Sequence, residues 1–466
     1  MDLWGFLIKN VIYWEKIKMS KKFTFILVLG SISIILIIIC IGFLFLSTFT
    51  KTAAVSGALS SGGTAETSIA DNGMANSRVD GISPKDNKSG PADATIKNAI
   101  ISDAEKLIEQ THYKQAGLLL EKPLEEYPDD KELSAVKDRA DNLEKQTVIY
   151  KGPVYHVFFH SLIVYPELCF TGDSMEQGYN YWMTTVKEFK MMIQEMYDRG
   201  YTLVDLRDMF KMDSSGKMQK QDIFLPEGQK PLIISVDDMS YYKYMENDGF
   251  AKKLVVDQQG KLASLVKTPQ GNEIISPDGD VVPILNNFAD QNPDFSFKGA
   301  KGTLALTGYE GILGYRTNHD NSSWQTEKES VLPVIEKLKE TGWAFASHSY
   351  THRRTFSEGT ITLDFLKYDT KRWRDEVGSL VGETNLYISP FGATFKQNDA
   401  RMRYIVSQGF NVYCGVGPAP DYILYKDNAY MERIDLDGYK MFHKPECMKE
   451  LFDAGKILDP VRPAFK

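Results

Sequence analysis

Cysteine is scarce in this chain. The four are Cys40, Cys169, Cys414 and Cys447, and none stands in the Cys-x-x-Cys spacing of a zinc ribbon or a redox pair. Cys40 falls inside a long apolar run, so an odd number remains elsewhere; that excludes a closed disulfide framework and reads as buried thiols with at most one bridge. Histidine is almost as scarce, seven in 466 residues, so two at ligand spacing stand out. Positive charge is not in excess: 54 Lys and Arg against 62 Asp and Glu give a net charge of −8 and a pI near 5.6. Phosphate backbones select a basic footprint, so nucleic acid is set aside as a partner, and a neutral polymer or small molecule suits this surface better. A hydrophobic share of 43% and a charged share of 25% exclude wholesale disorder and fibrous classes. The length allows two or three domains of roughly 100–200 residues.

One stretch is rich in what the rest lacks. Phe23 to Phe49 holds no charged residue and exceeds the ~20 apolar residues that cross a bilayer. Lys9, Lys16, Lys18, Lys21 and Lys22 precede it against Asp2 and Glu15, which puts residues 1–22 in the cytoplasm and everything after Thr50 outside. Ala53, Ala54 and Ala58 could serve a cleaved signal peptide, but the run is longer than the roughly 7–15-residue core of such a signal. The expectation is a single-pass anchor in the cell membrane. Initiation at Met19 would keep that topology.

From 50 to 95 the chain is dominated by Ser, Gly, Ala, Thr, Asn and Asp, a flexible linker with too little apolar surface for a core. Three helical stretches follow within 96–148, at Ile96–Glu109, Tyr113–Tyr127 and Asp130–Lys145, with Pro128-Asp129-Asp130 as break and cap. Tyr113, Ala116, Leu118, Leu119, Tyr127 and Pro128 look like one tetratricopeptide-type hairpin, a spacer or a protein-partner module. From about 150 to 466 short apolar runs alternate with amphipathic helices, the signature of an α/β barrel or doubly wound sheet. Strands are expected at Val154–Phe159, Leu232–Val236, Gly302–Leu306, Trp343–Ala346, Leu386–Ile388 and Asn411–Tyr413. Helices are expected at Val186–Arg199, Glu327–Thr341, Leu363–Val381 and Asp399–Gln408. Residues 248–293, with turns at Gln259-Gly260 and Asp278-Gly279, read as a β-hairpin insertion standing on the barrel rather than in its core.

The run Pro231 to Val236 is a buried-strand pattern that stops at Asp237-Asp238. Barrel chemistry sits at strand C-terminal ends, although twin acids there are often only caps. Strand neighbours point to opposite faces, so both acids converge only because the strand ends. His348 and His352, four residues apart after the strand at Trp343–Ala346, could bind one metal ion. Adding Asp238 gives three protein ligands with room for a fourth, the arrangement of catalytic rather than structural zinc. Asp237 is then free to act as a base while the ion polarises a carbonyl, chemistry that hydrolyses amides or esters. Phosphate esters fit less well, because no Gly-rich cradle or arginine cluster accompanies the site.

With Asp237-Asp238 ending one strand and Gly342-Trp343-Ala344-Phe345-Ala346-Ser347-His348-Ser349-Tyr350-Thr351-His352 further on, the sequence resembles the polysaccharide deacetylase (NodB-homology) family, carbohydrate esterase family 4. The resemblance runs from Lys151 to the end; its His-Ser-x-x-His is a specific signal, the Asp-Asp alone is not. It implies a distorted (β/α) barrel, with Asp237 as general base and Asp238, His348 and His352 holding zinc, or cobalt or nickel. It also implies an acetylated polysaccharide as substrate. Tyr387-Ile388-Ser389-Pro390-Phe391-Gly392 looks like the family's third motif, placing Tyr387, Pro390, Phe391 and Gly392 along the substrate groove. His160, after the first strand, is a candidate to line the pocket, as is His156. Tyr241, Tyr242, Tyr244, Trp182 and Phe391 could offer sugar-stacking faces. The sequence departs from the pattern in carrying Met239 after the aspartates and Ile388 where many members have Arg. The Leu-x-His that supplies the family's general acid is not found. The equivalent region reads Arg433-Ile434-Asp435-Leu436-Asp437, with His443 beyond it. The readings left open are an N-deacetylase, an O-acetyl esterase on glycans, and a catalytically weakened glycan-binding or assembly protein.

Overall fold

A computed structural model describes residues 91–465. The apolar run 23–49, the residues before it and most of the linker lie outside the described residues. Among those described, no helix is long and apolar enough to cross a membrane.

Helices α1 (Pro91–Glu109), α2 (Tyr113–Glu126) and α3 (Lys131–Lys145) form where the apolar spacing places them. Asp130 caps α3 by accepting from the amides of Glu132 and Leu133, satisfying donors that the first turn leaves without partners. Ala104, Ala116, Leu120, Leu133, Val136 and Ala140 make a small core of their own. The amide of Lys298 donates to Thr111 Oγ1 at 2.7 Å, tying this unit to the larger domain.

That domain is built on a curled sheet. Its main parallel strands are β1 (Tyr155–Phe159), β2 (Lys230–Asp237), β3 (Thr303–Leu306), β4 (Ala344–Ser347), β5 (Leu386–Ile388), β6 (Val412–Cys414), β7 (Ala429–Met431) and β8 (Ile434–Asp435), and the short strand Tyr201–Leu203 pairs parallel with the start of β2. β7 pairs with β6 and, on its other side, with the antiparallel edge strand Tyr422–Leu424, while β8 pairs with β1 at the opposite edge. Since β7 and β8 are one run of chain broken only at Glu432-Arg433, the two ends of the parallel run meet on that segment.

The period of two along each strand sorts the side chains. Leu232, Ile234 and Val236 of β2 pack outward against Phe189, Met192 and Ile193 of the helix Val186–Asp198. The opposite face holds Ile233, Ala305, Ala346, Ile388, Cys414 and Met431. Many of these are small, as a tightly curled interior requires. Glycine is demanded at Gly302, where a Cβ would meet Ile234 O and the Trp343 ring at 2.9 Å.

The expectation for 248–293 is corrected. The segment forms three antiparallel strands, Ala251–Val256, Leu262–Lys267 and Glu273–Ser276, followed by a helix, Val281–Gln291. It is not a hairpin outside the core: Leu254, Leu262, Val266, Val282 and Leu285 join the same apolar cluster as the outer face of β2. Ala251, Leu254, Leu262 and Val266 make a mostly apolar face, with Ser264 its polar member, and burying that face drives the strands inward.

Candidate active site

Asp237 closes β2 on its inward face and is buried. Asp238 follows with φ 58°, a left-handed conformation that ordinary residues adopt at a cost. That turn lets two successive carboxylates enter one pocket, which a continuing strand would forbid. Beyond β4, Ser349 and His352 also take positive φ, 58° and 47°, and the chain folds back so that the His348 and His352 rings lie 4.9 Å apart. Ligand atoms of Asp238, His348 and His352 all lie within 4.8 Å of one another. With metal bonds of roughly 2 Å, that spread is compatible with one shared ion, and a carboxylate with two imidazoles suits zinc and its neighbours.

The surroundings prepare these ligands. His348 Nδ1 lies 2.7 Å from the carbonyl of Ile388; a carbonyl only accepts, so Nδ1 carries the proton and Nε2 is left for the ion. Burial holds the His348 imidazole below its ordinary range, against the pull of Asp237 and Asp238, which keeps it in the neutral form that ligates. Tyr242 donates to Asp238 Oδ1 at 2.6 Å and lies 2.8 Å from Thr307 Oγ1. Thr307 and Tyr242 therefore fix the carboxylate that the strand end presents.

Sequence reasoning missed Arg433. From the break between β7 and β8, its guanidinium crosses the sheet interior and forks Asp237, Nη1 to Oδ1 at 2.7 Å and Nη2 to Oδ2 at 2.9 Å. It also reaches Ser235 Oγ, at 3.2 Å, and lies over the Phe158 ring, 4.0 Å from its centroid. Burial works to raise the Asp237 carboxyl, but the Arg433 charge, helped by His348, outweighs it and holds the group well below the usual carboxylate range. The available signal was Arg433 itself, an arginine on the final inward-facing strand run, alternating with Met431 and Asp435.

Where Leu-x-His was sought, the chain places Asp435 and Asp437. Burial first, and then the neighbouring Asp437 carboxyl, raises Asp435 far above its ordinary range; burial likewise raises Asp437. Asp435 Oδ1 and Asp437 Oδ2 are buried without a hydrogen-bond partner. Asp437 also caps the following helix by accepting from Lys440 N at 2.6 Å. His160, at the end of the paired strand β1, faces the charges of Asp237, Asp238 and Asp437. Its Nδ1 is buried without a hydrogen-bond partner. His156 lies deeper, fully buried with Nε2 3.0 Å from Ser235 Oγ; it underlies the site and does not line its mouth.

The third motif divides. Tyr387 is buried, its ring stacked on Tyr413 at 5.3 Å and packed by Phe410, because its position on β5 faces the outer core. Pro390 is buried too, so neither Tyr387 nor Pro390 offers a sugar an open face. Phe391 does: it is 50% exposed and its ring lies 4.3 Å from that of His352. Gly392 has φ 65°, and a Cβ there would meet the Val416 side chain at 2.6 Å. Tyr241 and Tyr242 are buried, correcting their expected stacking role, whereas Tyr244 and Trp182 are half-exposed. Clefts of about 470 and 450 Å³ open at the opposite end of the strands, lined by residues such as Trp343 and Asn385 or Arg207 and Phe297. They contain none of the residues at Asp237.

No protein-family model matches the chain, and no curated protein matches it. Solved structures to which it is similar include a Bacillus anthracis protein provisionally assigned as a polysaccharide deacetylase, at 13% identity and a TM-score of 0.37, covering 67% of this chain and 71% of that one. A de-N-acetylase from Aggregatibacter actinomycetemcomitans is similar at 12% identity and a TM-score of 0.36, covering 65% and 100%. IcaB from Ammonifex degensii is similar at 10% identity and 0.35, covering 66% and 98%.

Proposed function

We propose that the chain is a metal-dependent hydrolase that removes N-acetyl groups from N-acetylglucosamine-containing polysaccharide, peptidoglycan or an exopolysaccharide, at the outer face of the cell membrane. The observation that carries this reading is the convergence of Asp238, His348 and His352 beside a second carboxylate, Asp237, kept ionised by Arg433. A divalent ion held by the three ligands, zinc in preference and cobalt or nickel as alternatives, would polarise the acetyl carbonyl and acidify a water. Asp237 accepts the proton of that attacking water as general base. His160 faces Asp237 from the neighbouring strand and takes the place of the missing Leu-x-His. It gives its proton to the nitrogen as the C–N bond breaks, releasing acetate and a free amine. Phe391, beside His352, offers the sugar ring a face.

The apolar run 23–49 and the excess of lysine before it support an outward-facing domain on a tether. The three-helix unit could present a surface to a protein partner. Hydrolysis of O-acetyl esters is the second reading, favoured by the one departure that bears on leaving-group protonation, the absence of histidine from β8.

Acetate release from N-acetylglucosamine oligomers and from peptidoglycan, with zinc or cobalt supplied, tests the proposal. Release lost in both Asp237→Asn and His348→Ala supports it. Stoichiometric metal binding with no release from any acetylated glycan would sink it in favour of a glycan-binding protein.

A further inference from the structure

Six rings gather on one face that the chemistry above does not use. The helix Glu176–Trp182 ends on Tyr181 and Trp182, the helix Gly438–His443 carries Tyr439, Phe442 and His443, and Phe465 lies against both. Tyr439 lies 5.6 Å from Trp182 with its plane tilted by 30°, and 4.4 Å from His443. Phe465 stacks on Phe442 at 4.6 Å and 16°. Trp182 and Phe442 are 49% and 50% exposed. Single exposed apolar residues call for no explanation, but a contiguous group of rings does.

Two observations suggest what the group is for. First, it is held rigidly: Arg462, buried against Glu188, also donates to the carbonyls of Asn180 and Met183, on either side of Tyr181-Trp182, at 2.7 Å each. Asn180 Nδ2 in turn donates to Pro463 O at 3.1 Å, fixing the segment that carries Phe465. Rings fixed before binding lose little entropy when a ligand arrives. Second, the group is continuous with the site. Thr184, two residues beyond Trp182, donates to the carbonyl of Leu436 at 2.6 Å, and Tyr439 follows Asp437, which faces His160. The rings therefore begin at the end of β8, beside the proposed proton donor.

We propose that this face is a stacking platform for the sugar rings of the polysaccharide beyond the unit being deacetylated, an inference that rests on the function proposed above. The flat C–H faces of pyranose rings suit aromatic surfaces, and the tyrosine hydroxyls can bond to sugar hydroxyls. The platform makes the protein prefer long chains to short ones.

The test compares the metal-loaded protein with Trp182→Ala and Phe442→Ala on the disaccharide and on long N-acetylglucosamine oligomers. The expected result is a KM for long oligomers raised roughly tenfold, a loss of about 1.4 kcal/mol, with kcat preserved and a much smaller change for the disaccharide. Calorimetric titration of long oligomers into Asp237→Asn, with and without Trp182→Ala, gives the same comparison without turnover. Equal changes for both substrates, or none, would overturn the platform. So would a loss confined to binding of anionic lipid vesicles or to self-association, which would mark the face as meeting a membrane or a second copy. Long-oligomer binding that depends on Trp182, without acetate release from the wild type, would keep the platform and remove the hydrolase.

Discussion

Burial disfavours the charged form of Asp237, the form that a base needs; the fork from Arg433 reverses that. The pair is buried on both sides, so removing one partner leaves an uncompensated charge. Arg433→Met is expected to cost about 3–5 kcal/mol of stability. The double variant Arg433→Met/Asp237→Asn should regain most of it, since no buried charge then remains. Urea melts of the two singles and the double check this, and a double variant no more stable than Arg433→Met would contradict it. Function divides differently. His348→Ala is expected to lose both metal and acetate release, whereas Asp237→Asn should retain metal while release falls by roughly 10²–10⁴. Metal analysis of the purified variants beside the acetate assay separates the two. The four groups Asp237, Asp238, His348 and His352 were legible because each stands in a short local motif. Arg433 was not, because its partner is 196 positions away and only the meeting of the two ends of the parallel run brings them together.

Elements were legible where a periodic apolar pattern ran between clear breaks. The strands at Val154–Phe159, Leu232–Val236 and Gly302–Leu306 agree with β1, β2 and β3 to within a few residues, as does the helix Glu327–Thr341 with Trp324–Glu340. Leu363–Val381 is one apolar pattern but not one regular helix: a π-turn at Arg374–Gly378 interrupts it, and there Glu376 turns inward to accept from the Tyr350 hydroxyl at 2.7 Å. The insertion was misread because Asp278-Gly279 resembles a hairpin turn, whereas Asp280 behind it starts a helix. Asp280 Oδ1 accepts from Val281 N at 2.8 Å and from Leu162 N at 3.0 Å, joining the helix Val281–Gln291 to the loop after β1. Full burial, only partly offset by these bonds and by Tyr241, pushes its carboxyl up to about 6. A raised folded-state value means the folded protein binds the proton more tightly than the unfolded chain. Stability from this group is then complete below the unfolded value of about 4 and lost as pH rises through about 6. The loss amounts to roughly 3 kcal/mol. Asp280→Asn keeps an acceptor for both amides and has no charge to bury, so relative to wild type it should gain stability from pH 5 to pH 8. Denaturant melts at the two values read this directly, and a difference between the proteins that does not change with pH would refute it.

At the scale of the whole molecule the question is what holds the last residues to the domain. Glu188 completes a capping box with Thr185 at the start of the helix Val186–Asp198. The same carboxylate takes two bonds from Arg462, each 2.6 Å, and one from Asp459 N at 2.8 Å. One buried acid thus joins the first helix after the Glu176–Trp182 segment to a stretch more than 270 positions later, and through Asn180 and Met183 to the aromatic face. Neither residue stood out in the sequence, since a glutamate in a first helical turn and a distant arginine each have ordinary explanations. Arg462→Met removes the guanidinium but not the carboxylate, so the cost is expected at about 3–5 kcal/mol. It should not be spread evenly. The capping bonds still hold Glu188 to its own helix, whereas Asn180, Met183 and Pro463 lose the group that ties them together. Hydrogen exchange should therefore quicken in 176–184 and 459–465 well before it does in β1 to β4. Protection lost uniformly, or not at all, would mean that the clamp is not what fixes this face. A selective loss accompanied by a raised KM for long oligomers, with metal content intact, would connect the buried ion pair to substrate binding through the rings that it holds in place.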